Sequence, residues 1–431
     1  MPIPTTTAAA PIRSLHRVGV IAGLAAGAWL GAAEAPTKLV TAGFSPFIIS
    51  LGMVAGVFVA RWTLPVVLMG TGRLGADLRA RPHLIVWAVL AGMLWVVANT
   101  LTVFAIRDVG LTIAFPLWNT NSLVGLFWGW LLFNELRGAK AREWGKVAGG
   151  ATAIVVGACV LAYATSHQDM EARQAWNGIL AALGAGLLWG TMYVPYRKAY
   201  ISGMNPLSFV TVFTVGELVT MTVLVLVFGG GFSNVVRDLQ AVRPALFWLF
   251  VGGFCWVIGD LFQQYAAKYI GIGRGIPLSN TNQLWGLAWG VFVFGELYGQ
   301  GVAAQVLVAL GSLAMITGAV FISRAEASEV ERLSWDEAML RECRRYRLDP
   351  VEVAAAVHGD ATAAQTAARG TRRWWEALVV LAAVGIFVWL GLEAQRQPVG
   401  INVAAAVTLG VATLALLAYP ARVLWKRTRF E

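Results

Sequence analysis

Two amide and hydroxyl triplets, Asn119-Thr120-Asn121 and Asn280-Thr281-Asn282, stand inside apolar stretches, each just behind a proline, Pro116 or Pro277. Desolvated amides must find partners or cost on the order of several kcal/mol each. Successive helical residues point about 100° apart, so at most two of each triplet can face one cavity and the third must bond to another helix. The prolines remove a backbone donor and free a carbonyl one turn earlier, which adds polar groups at the same depth. Trp95, Trp118 and Trp128 accompany the first triplet, and Trp256, Trp285 and Trp289 the second. Amides both donate and accept, and an indole face covers the C–H side of a sugar, so the pattern suits a neutral polyhydroxylated ligand. The competing reading places the tryptophans in interfacial belts and uses Asn and Thr to link helices.

Three acids also fall in apolar stretches, Glu34, Glu217 and Asp260. Each costs about 2.5 to 3.5 kcal/mol on insertion scales and needs a reason to be there. Asp260 is the leading coupling candidate, with Gln263 and Gln264 one turn on and Asn99 as its counterpart. A lone carboxylate there can carry a proton or bind substrate hydroxyls; paired with a neighbouring helix, it would be structural. Glu34 is explained by a one-turn pair with Lys38, and Glu217 has no sequence-local partner and stays a secondary candidate. Arg197 and Lys198 lie near an expected helix end and are read as snorkelling to the interface.

The elements that position these groups follow from composition. With 58% hydrophobic residues, 13% charged ones and a mean hydropathy of +0.67, the chain of 431 residues reads as an all-α polytopic membrane protein. A bilayer takes roughly 20 residues to cross. Windows near 18–41, 46–69, 84–106, 111–133, 146–165, 176–200, 207–228, 244–267, 272–296, 302–323, 374–392 and 401–419 qualify, about 12 spans in all. They divide the chain into a tail (1–17), a five-helix unit (18–165), an external loop (166–175), a second unit (176–323), a helical segment (324–373), two further spans (374–421) and a basic tail (422–431).

The charge of +10 is spread in short clusters between spans, not in a patch or stripe, so it reports orientation and not a nucleic-acid partner. Arg13, Arg17, Arg73, Arg79, Arg81, Arg137, Lys140, Arg142, Lys146 and Arg422 to Arg429 share one side if both termini are cytoplasmic; Arg237 and Arg243 run against this. The first span continues without a cleavage site and is expected to be retained. Cys159, Cys255 and Cys343 suggest no disulfide framework. His16, His83, His167 and His358 lie outside the spans or at their edges, which speaks against a metal or a histidine relay in the core, and no enzyme motif stands out. No cofactor is expected beyond a coupling proton.

The triplets belong to a repeat. Asn99 aligns with Asp260, Gly110 with Gly271, Gly125 with Gly286, Gly31 with Gly190, Pro36 with Pro195 and Pro46 with Pro206, about 160 residues apart. A unit with an odd number of spans must re-enter from the opposite face, giving two inverted five-helix repeats. Such pairs place a substrate site near the midplane and favour alternating access.

With these residues in place, 18–323 resembles the drug/metabolite transporter superfamily. Phe133-Asn134-Glu135-Leu136, followed by Glu143-Trp144-Gly145 and Gly157, looks like its helix-end acid, short basic loop and glycine-rich fifth helix; Phe294-Gly295-Glu296-Leu297, followed by Gln305 and Gly318, repeats it. The Pro-x-x-Asn-Thr-Asn context is most similar to the bacterial glucose, ribose and rhamnose uptake branch. The resemblance implies a cavity lined by spans one, three, four, six, eight and nine, presenting Asn119, Asn121, Asp260, Gln264, Asn280 and Asn282, with Glu135 and Glu296 structural. The family stops at ten spans, so residues after 323 depart from it.

In that extension, Ser334-Trp335-Asp336-Glu337 looks like a helix start with Ser334 as cap. The segment is expected to be a solvated linker or a small module, and the last two spans a packing or dimerisation element through which a partner could bind. The expected activity is secondary-active movement of a small polar metabolite, a sugar foremost, across the inner membrane, with symport of a proton through Asp260. The alternatives are an exporter of drugs or amino acids on the same fold, and an integral-membrane enzyme or scaffold.

Overall fold

The computed structural model of the chain describes residues 12–37, 40, 44–165, 172–295, 297, 301–358, 372–395 and 400–430, and every regular element among them is helical. The first repeat runs α1 (Ile12–Thr37), α2 (Pro46–Leu68), α3 (Thr71–Ala80), α4 (Leu84–Trp118), α5 (Asn121–Phe133), α6 (Ala141–Trp144) and α7 (Gly150–Thr165). The second runs α8 (Ala172–Ile201), α9 (Pro206–Phe228), α10 (Phe232–Val242), α11 (Leu246–Ile270), α12 (Ile272–Ser279), α13 (Asn282–Ala288) and α14 (Val302–Ser323). The extension adds α15 (Glu329–Tyr346), α16 (Pro350–Val357), α17 (Trp374–Glu393) and α18 (Val403–Thr428).

Ten stretches among the described residues are long and apolar enough to cross a bilayer, and the protein is a multi-pass membrane protein. Two expected spans, 111–133 and 272–296, are instead interrupted. The first is split between the end of α4 and α5; the second is α12 and α13, followed by a π-type turn. α5, with 13 residues, reaches only about 20 Å. Both breaks fall on the triplets. Thr120 and Thr281 donate to the carbonyls three residues back, Leu117 at 2.7 Å and Leu278 at 2.8 Å, offering the backbone a partner other than the helix ladder.

Proline and glycine set several boundaries. Pro46 and Pro206 open α2 and α9, where a missing N–H is harmless, and Asn205 caps α9 by accepting from Leu207 N at 2.8 Å. Gly70 and Gly231, with φ of +76° and +87°, turn the chain into α3 and α10, short helices that fall in the gaps between the hydropathy windows.

The repeats interlock through reciprocal contacts. α1 packs on α11, and its counterpart α8 on α4; α2 and α9 pack on each other and on α11 and α4. A Cβ at Gly56 would stand 2.1 Å from Phe250 O, and one at Gly253 would stand 2.1 Å from Met53 O. The equivalent positions Gly216 and Gly92 meet Val89 O at 2.0 Å and Phe213 O at 2.2 Å. Only glycine lets backbones approach so closely. The main core is a continuous cluster drawn from both repeats, with Trp95, Tyr196, Phe209 and Phe213 among its largest buried side chains.

The extension is not a solvated linker. Its helix starts at Ser328, whose hydroxyl accepts from Glu331 N at 3.1 Å, and Ser334 lies inside the helix donating to Glu331 O at 2.7 Å. Both serines have a glutamate three residues on, but Ser328 also donates to Arg137 O at 2.6 Å, which fixes it at the helix start. Glu331, fully buried, then forms a two-bond pair with Arg274 of α12, at 2.8 and 2.9 Å. Lys198 pairs with Glu342, and Arg81 with Glu352 at 3.3 Å. Residues 359–371 lie outside the described set.

Candidate functional site

Asp260, on α11, is fully buried and is not lone. Arg61 of α2, also fully buried, donates to its Oδ2 at 2.9 Å, and Gln264 Nε2 donates to the same oxygen at 2.8 Å. Arg61 sits in the second span among apolar neighbours. An arginine at that depth needs a counter-charge for the same reason the acids do, and that would have paired it. Glu217 of α9 stands 4.0 Å from Arg61 Nε, so the secondary candidate joins the same cluster.

The cluster keeps unmet hydrogen-bonding capacity. Arg61 Nε and Nη1, Asp260 Oδ1 and both Glu217 carboxylate oxygens are buried without a hydrogen-bond partner among the described residues. Its walls are aromatic: Arg61 lies 3.6 Å from the centre of the Phe213 ring, 6.0 Å from that of Trp95 and 5.7 Å from that of Trp256. Trp95 and Trp256 are themselves 4.9 Å apart, and Trp95 Nε1 also has no partner among the described residues.

A tyrosine row on α8 extends the polar chain. Tyr200 donates to Gln264 Oε1, Tyr193 to Gln263 Oε1, and Gln263 Nε2 to Ser279 Oγ on α12. Tyr196 lies against Arg61 and Asp260. Tyr193, Tyr196 and Tyr200 share one helix face by spacing, a signal visible in the sequence and not used. Asn99, the counterpart of Asp260, donates to Ser50 Oγ at 2.9 Å, so the equivalent position in the first repeat holds a neutral bridge.

The triplets do come together, but by bonding to each other. Asn280 Nδ2 donates to Asn119 O at 3.1 Å, to Asn121 Oδ1 at 2.7 Å and to Ser122 Oγ. Asn119, Asn121 and Asn280 therefore link the repeats, which is the helix-joining role. Asn119 Nδ2 and Asn282 Oδ1 are left buried with no partner among the described residues. The crossed packing holds here too: a Cβ at Gly27 of α1 would stand 2.2 Å from Thr281 Oγ1, and one at Gly186 of α8 would stand 2.8 Å from Thr120 Oγ1.

The expected aromatic ring divides. Trp95 and Trp256 belong to the charged cluster, whereas Trp118 packs edge-on to Trp189 at 5.9 Å inside an alanine-rich core. Trp285 abuts α1 at Gly31, and Trp128 donates to Thr191 Oγ1 at 3.1 Å. Small residues on the facing helices draw each indole to its nearest groove.

Arg197 does not snorkel. It is 3% exposed, donates to the carbonyls of Ala267 at 3.2 Å and Lys268 at 3.0 Å, and lies 3.9 Å from Glu135. Glu135 accepts from Ile272 N at 2.8 Å and Gly273 N at 2.7 Å, capping α12 across the repeats in the structural role expected of it. The side chain of Glu34, its expected partner Lys38, and Glu296 lie outside the described residues. Among the described residues no group of three or more His, Cys, Asp or Glu side chains could hold a metal.

Residues 176–323 match the EamA-like transporter family. Two proteins named "Putative sugar uptake protein", from Listeria monocytogenes and Listeria innocua, are each 32% identical over 154 residues, 35% of this chain and 48% of theirs. "Transmembrane protein 144 homolog B" of Dictyostelium discoideum is 28% identical over 125 residues, 28% of this chain and 34% of its own. The chain spans about half the length, 48%, of the curated relatives it matches first. The second repeat, residues 176–323, is thus similar to the EamA-like transporter family, of the drug/metabolite transporter superfamily.

Proposed function

We propose that the chain is a secondary-active, alternating-access transporter of a small polar metabolite, a sugar foremost, in the inner membrane with both termini cytoplasmic. The observation that carries this reading is the buried Arg61–Asp260–Glu217 cluster, with five polar atoms unpartnered among the described residues and the Arg61 guanidinium within 6.0 Å of the Trp95 and Trp256 ring centres. Sugar hydroxyls donate to carboxylates and accept from a guanidinium, while the ring faces cover the C–H side. One cation among two carboxylates gives no net pull on an anion, which disfavours an anionic ligand. The names of the Listeria relatives support the same class.

The two repeats are read as inverted copies that rock about the Asn280 bridge, with Asp260 and Glu217 as the groups that exchange a coupling proton against Arg61. The test is uptake into proteoliposomes with a panel of sugars and amino acids under an imposed pH gradient. Accumulation of a sugar supports the reading; accumulation of an amino acid alone points to the exporter-like alternative. Product formation from a lipid-linked substrate, without accumulation of either class, points to an integral-membrane enzyme.

A further inference from the structure

The extension and the bundle together line a partly open cavity, of about 150 Å³, where α15 and α16 cover one end of α1, α8, α11 and α12. Arg197, Lys268, Arg274 and Arg332 line it, with Asp336 as the carboxylate among its lining residues. Asp336 is opposed by His358 Nε2 at 3.6 Å. Glu331 offsets Arg274, and Glu135, 3.9 Å away, offsets Arg197. Four cationic side chains thus meet at one cavity.

Two donors there make no hydrogen bond, though Arg197 Nε lies 3.9 Å from Glu135 Oε1. Nε of Arg197 and Nε of Arg274 are buried without a hydrogen-bond partner among the described residues, on side chains 3% and 1% exposed. The Arg197 guanidinium is also held 4.5 Å from the centre of the Trp335 ring, which fixes its plane. Fixed guanidinium donors arriving from different helices match a tetrahedral group with several acceptor oxygens better than a planar carboxylate.

We propose that this cavity binds a phosphate ester, whose oxygens take the Nε–H groups of Arg197 and Arg274 and lie against the charges of Lys268 and Arg332. Arg332 and Trp335 come from the extension and the rest from the bundle, so the ligand bridges the two. By linkage, binding strengthens docking of α15 on α12, the half-helix that ends at Asn280. The ester is either a soluble phosphorylated metabolite or an anionic lipid headgroup, since the site lies at one end of the membrane helices.

The test uses the full chain and its thermal unfolding midpoint, a readout independent of transport. One arm titrates inorganic phosphate in a zwitterionic detergent against chloride at matched ionic strength; the other compares phosphatidylcholine nanodiscs with and without phosphatidic acid. A ligand that binds only the folded chain raises the midpoint, here by about 3 °C near saturation. A rise with phosphate assigns the soluble source, and a rise only with phosphatidic acid assigns the headgroup. Arg332, half-buried on α15, is the residue to vary: Arg332→Gln should bind about tenfold more weakly with its ligand-free midpoint unchanged, and Arg332→Lys should restore part of the response. No rise with either probe, or an undiminished rise in Arg332→Gln, overturns the proposal.

Discussion

The Arg61 guanidinium and the Asp260 carboxylate meet at 2.9 Å with neither side chain exposed, joining the second helix of one repeat to the third-span helix of the other. Breaking such a pair is more costly than never having it, because the partner left behind is a buried charge. Asp260→Ala should destabilise the protein by about 3–5 kcal/mol, while the double variant Arg61→Met/Asp260→Leu should lose at least about 1 kcal/mol less. Thermal and denaturant unfolding in detergent, arranged as a double-mutant cycle, measures the difference.

Asn280→Ala removes the donor that reaches Asn119 O, Asn121 Oδ1 and Ser122 Oγ together. The expected loss is about 1–3 kcal/mol, since the acceptors are buried and stay so. Asn121→Ala removes one of the three acceptors and should cost less. Equal losses would mean that the Asn280 amide does not act as the hub of the bridge.

How much of this was legible in the sequence depends on the kind of interaction. The spans, the repeat and the place of the triplets follow from hydropathy and spacing, which are local. Where each side chain ends up is a tertiary matter. The triplets read as cavity lining or as helix links, the links favoured residue by residue, until Asn280 is seen to bond to Asn121, and Asp260 reads as lone or helix-paired until α2 brings Arg61 to it. The helix breaks at Asn119 and Asn280 are hidden from a hydropathy window, because the residues on both sides stay apolar. Ser334 looked like a cap because a local motif scores the same wherever it occurs, and only packing selects Ser328.

The close glycine contacts predict position-specific costs. Gly216→Ala puts a methyl group 2.0 Å from Val89 O, a backbone atom that cannot step aside without parting α4 and α9. The expected cost is about 1–3 kcal/mol. Gly385→Ala on α17 meets nothing within 4 Å and should be neutral or slightly stabilising, since alanine favours a helix. Unfolding midpoints of the two variants side by side are the check.

Docking of the extension should depend on Glu331. Glu331→Gln keeps the shape but removes the charge that offsets Arg274, leaving a buried guanidinium with neutral acceptors only. Limited proteolysis between residues 324 and 358 should become about tenfold faster, with unchanged susceptibility elsewhere. An unchanged cleavage rate would mean that α15 is held by its apolar face alone.

The same docked segment should loosen in mild acid. His83, between α3 and α4, stacks on Tyr346 of α15 with ring centres 3.6 Å apart, and burial pushes its pKa below the usual value of 6.5. The folded state therefore prefers the neutral imidazole. Its contribution is complete above pH 6.5 and declines as the pH falls from there towards the lowered folded value. Proteolysis of 324–358 between pH 7.5 and 5.5 should accelerate in the wild type and much less in His83→Gln.

The central claim, that the halves rock to open one buried site to each face in turn, is tested most directly by labelling Asn282→Cys in an otherwise cysteine-free chain. Right-side-out and inside-out vesicles would be treated with a membrane-impermeant thiol reagent, with and without a transported sugar. The account predicts labelling from both faces, with the sugar changing the two rates in opposite directions by about threefold or more. Labelling from one face only, whatever ligand or pH gradient is present, would contradict it.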